Sequence, residues 1–242
     1  MLSRWELRLV LALCTAGCTQ EEANIQRGIA THPTTAQLEI VEELHLTPAG
    51  GDGPSWFRVV LNHGAHKLPI KEWVIGGAPW QGGALVLRPS GRLEWVMDDG
   101  TTELIDEGVL IPPTLSHDNR FSAWATEEGG EVVLVVHDGK RKRSFRGHQL
   151  ISVGSIVWEK REAAKRRLAF IGAKNGGIAG LWALWSDGEG MSCLTNCTLK
   201  VGDPLDQGYS PLPDRILGFE ADALVVEVSD QEVRISLPKE LR

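Results

Sequence analysis

The sequence predicts an all-β protein built from many short antiparallel strands, and three observations predict it. Apolar residues recur with a period of two in Gln37–Glu42, Ala84–Arg88, Glu131–Val136 and Ala223–Val228, the spacing that puts alternate side chains on one face of a strand. Gly, Pro, Asp and Asn interrupt these runs at short intervals, and no long amphipathic helix is evident. Four runs also end in a similar turn: Val96-Met97-Asp98-Asp99-Gly100, Val136-His137-Asp138-Gly139, Leu184-Trp185-Ser186-Asp187-Gly188 and Glu227-Val228-Ser229-Asp230-Gln231. The aspartates at 99, 138, 187 and 230 are spaced by 39, 49 and 43 residues. Val60-Leu61-Asn62-His63-Gly64 is a fainter copy. Asp-Gly and Asn-Gly are strong hairpin signals, because a tight turn needs residues that accept positive φ.

Composition sets the frame for these strands. The 242 residues are 42% hydrophobic and 24% charged, which is globular composition, and the length suits one large all-β domain or two smaller ones. Twenty-seven Gly, with nine Trp against one Tyr, suit Gly-rich turns between short strands whose gaps are filled by large aromatics. A net charge of −7 argues against general nucleic-acid binding.

The amino terminus has a different logic. Arg4 and Arg8 precede a short apolar run, Leu9–Leu13, and Thr15-Ala16-Gly17 precedes Cys18. The run is much shorter than the ~20 residues a spanning helix needs and fits a cleaved secretory signal over residues 1–17. Its end resembles a bacterial lipobox, with Cys18 at the lipidated position and Ala16 and Gly17 matching before it. Thr15 replaces the usual aliphatic residue. The resemblance implies diacylglycerol on the Cys18 thiol, and location in the bacterial cell envelope, at the outer membrane facing the periplasm. A plain signal peptide or an N-terminal helix is the alternative. Residues 18–35 are polar and read as a flexible tether, leaving 36–242 as the folded domain.

Within that domain a second feature precedes the last three aspartate turns. Ser116-His117-Asp118-Asn119-Arg120-Phe121-Ser122-Ala123-Trp124, Arg166-Arg167-Leu168-Ala169-Phe170-Ile171 and Ser210–Phe219 each carry a polar stretch into a strand with a small residue beside an aromatic. The small residue admits a neighbouring sheet and the aromatic fills the space between. These segments resemble TolB-like β-propeller repeats, relatives of the WD-type repeat. The best match is Arg167–Asn196, although Glu159–Lys165 replaces the usual turn ahead of it, and the likeness spans roughly Leu85–Leu237. It implies a small β-propeller of four-stranded blades. At about 40–45 residues a blade, the 207 residues from Ala36 to Arg242 supply about five. Four blades, an incomplete ring completed by a partner, or a β-sandwich are the alternatives.

Few residues carry candidate chemistry. Cys193 and Cys197 are the other cysteines left after export once Cys18 is lipidated, and an even pair in an oxidising compartment suggests a disulfide. On a straight strand they would lie ~13 Å apart, beyond the ~7 Å limit, so Leu194–Asn196 must turn for the bond to form. Two buried thiols are the alternative. His63 and His66 could be half a metal site, but two ligands alone are a weak signal, a solvated loop is the better reading, and no metal or other cofactor is expected. Trp182 and Trp185, three apart on a strand, should face opposite sides; core or rim packing is the preferred reading, and an exposed carbohydrate platform for one of them is the alternative. No G-x-S-x-G elbow, phosphate loop or catalytic carboxylate pair is evident.

Charge placement is uneven. Between Lys140 and Arg167 lie ten basic residues against Glu159 and Glu162, a net +8, which leaves −15 for the remainder. Nine of them, Lys140, Arg141, Lys142, Arg143, Lys160, Arg161, Lys165, Arg166 and Arg167, are expected to form one positive patch, because in a propeller the two turns that carry them fall on the same face. These readings converge on a non-catalytic, lipid-anchored scaffold or binding module for an envelope protein or anionic polymer. The rival is a propeller enzyme, a hydrolase or lyase, with its site in the central channel.

Overall fold

The computed structural model describes residues 37–45, 55–63, 66–146, 148–161, 164–200, 203 and 209–242. The lipidation, signal-peptide and tether expectations, Cys18 included, lie outside the described residues. The fold is all-β. Among the described residues eighteen strands form five antiparallel sheets, and a 3-10 turn, Lys239–Leu241, follows the last strand.

Each sheet is an up-and-down meander of consecutive strands. The first contains β1 (Gln37–His45), β2 (Ser55–His63) and β3 (His66–Pro69), and the second β4 (Gly76–Trp80), β5 (Gly83–Leu87), β6 (Leu93–Met97) and β7 (Thr102–Asp106). The third contains β8 (Thr114–Leu115), β9 (Ser122–Glu128), β10 (Glu131–His137) and β11 (Lys142–Phe145). The fourth contains β12 (Leu150–Trp158), β13 (Arg167–Lys174), β14 (Ala179–Trp185) and β15 (Ser192–Cys193), and the fifth β16 (Arg215–Phe219), β17 (Ala223–Val228) and β18 (Gln231–Ser236). The four runs with period two fall on β1, β5, β10 and β17. Among the described residues three sheets have four strands, as expected, and the first and last have three. Five sheets in series also replace the two-layer sandwich alternative.

Burial gives the stacking order. β5 is buried on both faces: Ala84 and Val86 join a core with Val59 and Leu61 of the first sheet, while Leu85 and Leu87 join one with Trp124, Val133 and Val135 of the third. β10 divides in the same way, with Leu134 and Val136 meeting Leu168 and Phe170 of the fourth sheet. β14 turns Trp182 and Leu184 to the third sheet and Leu181 and Ala183 to the fifth. Four apolar layers thus lie between five sheets stacked in chain order. Middle strands are apolar at successive positions because both faces are covered. β2 and β17 each contribute one face to these layers. Among the described residues, no core cluster joins the first sheet to the last. The leading strands β1, β4, β8, β12 and β16 approach one another in sequence, each within 8 Å of the next.

The turns follow two rules. Gln81-Gly82, Gly129-Gly130 and Ser229-Asp230 have positive φ at both central residues, as a two-residue hairpin twisted with its strands requires. The aspartate turns between third and fourth strands use another device. The carboxylates of Asp99, Asp138 and Asp187 each accept the backbone N–H two residues ahead, of Thr101, Lys140 and Glu189, and a glycine with φ of 86–91° completes each turn. Asp230 departs from this set. It lies at φ 62° in a two-residue turn that lacks the glycine, so the fourth copy of the sequence repeat is a different turn.

Candidate functional site

In an up-and-down meander, the first-to-second and third-to-fourth connections fall at one end. In the third sheet these are Ser116–Phe121 and Asp138–Arg141, and in the fourth they are 159–166 and Ser186–Gly190. All four contribute to one cavity of about 500 Å³. Arg120 and Phe121 come from the first connection, Asp138, Lys140 and Arg141 from the second, Ala164 and Lys165 from the third, and Ser186 and Asp187 from the last, with Arg143 from β11. The two basic loops of the sequence patch therefore meet at a shared cavity.

Local hydrogen bonds fix each loop. Ser116 Oγ donates to Asp118 Oδ1 at 2.8 Å and accepts from Phe121 N at 3.0 Å. Asn119 takes φ 56° inside that turn, a conformation Asn tolerates better than most residues. Asp138 Oδ1 accepts from Lys140 N at 3.0 Å and Arg141 N at 2.8 Å. Arg143 lies 3.5 Å from Asp138 and donates to the Ser186 carbonyl at 3.4 Å, which bridges the third and fourth sheets. Lys165 Nζ sits 2.5 Å from Asp187 and 2.7 Å from Glu189.

These contacts set the charges. Burial pushes the Asp138 carboxyl up, but the N–H groups of Lys140 and Arg141 and the nearby Arg143 guanidinium outweigh it and hold the group below the usual carboxylate range. Asp187 is likewise pushed up by burial and held below it by Lys165 and the Glu189 N–H. Both carboxylates are thus ionised and internally satisfied. Arg120, Lys140 and Arg141 are exposed, and among the described residues none of the three has a carboxylate partner.

Other members of the predicted patch behave differently. Arg166 and Arg167 are 0% and 3% exposed, so they are not surface cations. Arg166 pairs with Asp118 of the third sheet, and Arg167 reaches Glu159 at 2.6 Å. A buried cation needs an anion and hydrogen-bond acceptors, and those partners draw both side chains inward. Lys142 is exposed but turns to Asp106 at 2.9 Å, on the second sheet. Arg161 lies 3.7 Å from Glu159, and Lys160 is exposed. The patch therefore contracts to the residues around the cavity. Arg120 belongs with them although the sequence patch omitted it. Its signal was positional: it precedes a second strand, as Lys165 does.

Cys193 and Cys197 are joined by a disulfide, with Cα atoms 5.6 Å apart, because 194–197 turns back and Asn196 takes φ 59°. Trp182 and Trp185 face opposite layers, as their spacing requires. Trp182 stacks on Phe170 at 6.1 Å, and Trp185 donates to the Glu240 carbonyl at 2.7 Å beside Arg167. Neither is left as an open carbohydrate platform. His66 is exposed at the start of β3, the His63 side chain lies outside the described residues, and among the described residues no three His, Cys, Asp or Glu are grouped to hold a metal. No helix among them is long and apolar enough to cross a membrane.

One titrating group lies at the end of β10, on the side of the third sheet that faces the second. His137 lies 4.9 Å from the Trp80 ring and 6.2 Å from that of Trp124, and its Nδ1 accepts the Gly139 N–H at 3.0 Å. Burial lowers its pKa from the usual 6.5, only partly offset by Asp138. His148 is lowered for the same reason, by burial and then by Lys174. The folded state therefore binds fewer protons than the unfolded chain just below pH 6.5, so stability is complete above that pH and is lost as pH falls below it. Urea unfolding should show a lower midpoint at mildly acidic pH than at neutral pH, and a His137→Phe, His148→Phe double variant should lose most of the difference. An unchanged pH dependence in that variant would assign the effect elsewhere.

No protein-family model and no curated protein sequence matches the chain.

Proposed function

We propose that this chain is a non-catalytic, lipid-anchored binding module of the bacterial cell envelope, built as a small β-propeller of the TolB-like type. It holds a partner through the connections gathered at one end of its sheets. The single observation that carries this reading is the convergence of four such connections, from two adjacent sheets, on one positively lined cavity. Five meander sheets stacked in chain order, with their leading strands side by side, support the propeller geometry. The lipobox-like Thr15–Cys18 supports the anchor. A lipidated cysteine of this kind carries more than one acyl chain, which meets the two-chain requirement for stable attachment.

Affinity capture of envelope proteins and polymers with the anchored chain tests the binding reading. A partner recovered with the wild type but not with a chain whose exposed end loops are charge-reversed is the expected result. Turnover of a sugar or lactone library with no partner recovered would overturn it. The anchor is tested separately. Cys18→Ser should abolish labelling by radioactive palmitate and move the protein out of the membrane fraction, and unchanged labelling would exclude Cys18 as the lipid site.

A further inference from the structure

We propose that the cavity between the third and fourth sheets is a pocket for a phosphate group carried on an organic body. The inference narrows the binding-module reading above and rests on it. Arg120, Lys140, Arg141, Arg143 and Lys165 line the cavity against two carboxylates, Asp138 and Asp187, an excess of three positive charges. The acids do not compete for a ligand's cations: Asp138 is occupied by two backbone N–H groups and Arg143, and Asp187 by Lys165 and the Glu189 N–H. Among the described residues three of these cations have no carboxylate partner, those of Arg120, Lys140 and Arg141.

The excess charge selects the anion. A carboxylate neutralises one charge, whereas a phosphate monoester brings about −1.5 to −2 and three acceptor oxygens. Two of the three unpaired cations are guanidinium groups, whose planar fork matches two phosphate oxygens at once. The walls also suit an organic body. Phe121 and Ala164 give an apolar surface, and the guanidinium carbons of Arg120 and Arg166 lie 5.9 and 6.0 Å from the Phe121 ring. A volume of about 500 Å³ lies within the range of small-ligand pockets. The loop backbones are already ordered by their own hydrogen bonds and by the Arg143–Ser186 bridge, so the ordering cost of binding falls on the side chains of Arg120, Lys140 and Arg141.

Two sources could supply the group, a soluble phosphate or a lipid headgroup, and the test separates them. Full-length chain carrying Cys18→Ser is titrated with inorganic tripolyphosphate by calorimetry, and co-sedimented with phosphatidylcholine vesicles with and without phosphatidic acid. Saturable binding of tripolyphosphate, weakened about tenfold by raising salt from low to physiological strength, is expected. A Lys140→Glu, Arg141→Glu variant should weaken it at least about tenfold, and Arg120→Glu, on a separate hairpin, about fivefold. Lys71→Glu, in the connection entering β4 at the opposite end of the sheets, should change nothing. Binding to phosphatidic acid vesicles alone, lost in the same variants, assigns the pocket to headgroups; binding to both assigns it to phosphate generally.

Three outcomes overturn the proposal: no binding in either arm, binding that both reversals leave intact, or a hexaglutamate peptide that binds as tightly as tripolyphosphate. A partner captured from the envelope despite any of these would leave the binding-module reading standing and sink the phosphate pocket alone.

Discussion

Arg167→Ala is expected to cost about 3–5 kcal/mol of folding stability, more than any surface substitution in the chain. The guanidinium is 3% exposed and acts as a hub between the fourth sheet, the fifth sheet and the carboxy-terminal turn. Nη1 donates to the carbonyls of Ala221 at 3.0 Å and Leu241 at 3.1 Å, and Nη2 donates to Glu159 at 2.6 Å and to the Glu220 carbonyl at 2.9 Å. The Phe219 ring lies 5.0 Å from the guanidinium carbon and that of Trp185 5.8 Å. Truncation takes from the Glu159 carboxylate, 4% exposed, its closest cation, leaving only the exposed Arg161 at 3.7 Å, and strips three carbonyls of their donor. Each loss is expensive because buried polar groups cannot recover water. At about 2–4 °C per kcal/mol for a chain of this size, the melting temperature should fall by roughly 6–20 °C. A paired Arg167→Met, Glu159→Leu variant should recover much of the loss, since apolar replacement of both partners removes the orphaned charge. A fall under about 3 °C for Arg167→Ala, measured by tryptophan fluorescence, would show that the hub is not formed.

That hub marks the boundary of what the sequence makes legible. Strand content was readable because alternation is a local property, and so were three of the aspartate turns, because Asp99, Asp138 and Asp187 each bond two residues ahead. The opposed faces of Trp182 and Trp185 follow from strand geometry alone. Arg166 and Arg167 read as solvated surface because they sit in a charge run, whereas all their partners but Glu159, eight residues from Arg167, come from distant segments. Arg166 meets Asp118, 48 residues away, and Arg167 meets carbonyls 53 to 74 residues away. No window along the chain contains both halves of such a contact. The cavity was half legible for the same reason. Meander topology brings 138–141 and 159–166 to one end, but the Arg143–Ser186 bridge that holds the two sheets together is a tertiary fact. Asp230 shows the converse limit, since it sits in a similar phrase and yet, without a following glycine, makes a two-residue turn.

Phe170→Ala should be comparably destabilising, at about 3–5 kcal/mol, through a different physical term. The ring is 0% exposed and lies in the layer between the third and fourth sheets, with Leu134, Val136 and Leu150 in the same cluster. Trp182 stacks on it at 6.1 Å with planes 13° apart, and the Trp182 indole N–H is fixed by the Gly172 carbonyl at 3.1 Å. The indole is therefore not free to move into the space a truncation leaves. On its other side β13 turns Ala169 into the layer shared with the fifth sheet, and the ladders to β12 and β14 hold its backbone in place. A void that cannot collapse adds its cavity cost to the lost burial. Phe170→Leu refills part of the space and should cost about half as much. The same two sheets carry the loops around the phosphate pocket, but Phe170 does not line it. Phe170→Ala should thus lower the urea midpoint sharply while leaving tripolyphosphate affinity, measured well below the melting temperature, within about twofold of wild type. Equal losses for the Ala and Leu variants would mean that the layer relaxes around residue 170. A parallel collapse of binding would mean that core and loops are coupled, against the arrangement in which hydrogen bonds local to each loop hold the pocket in shape.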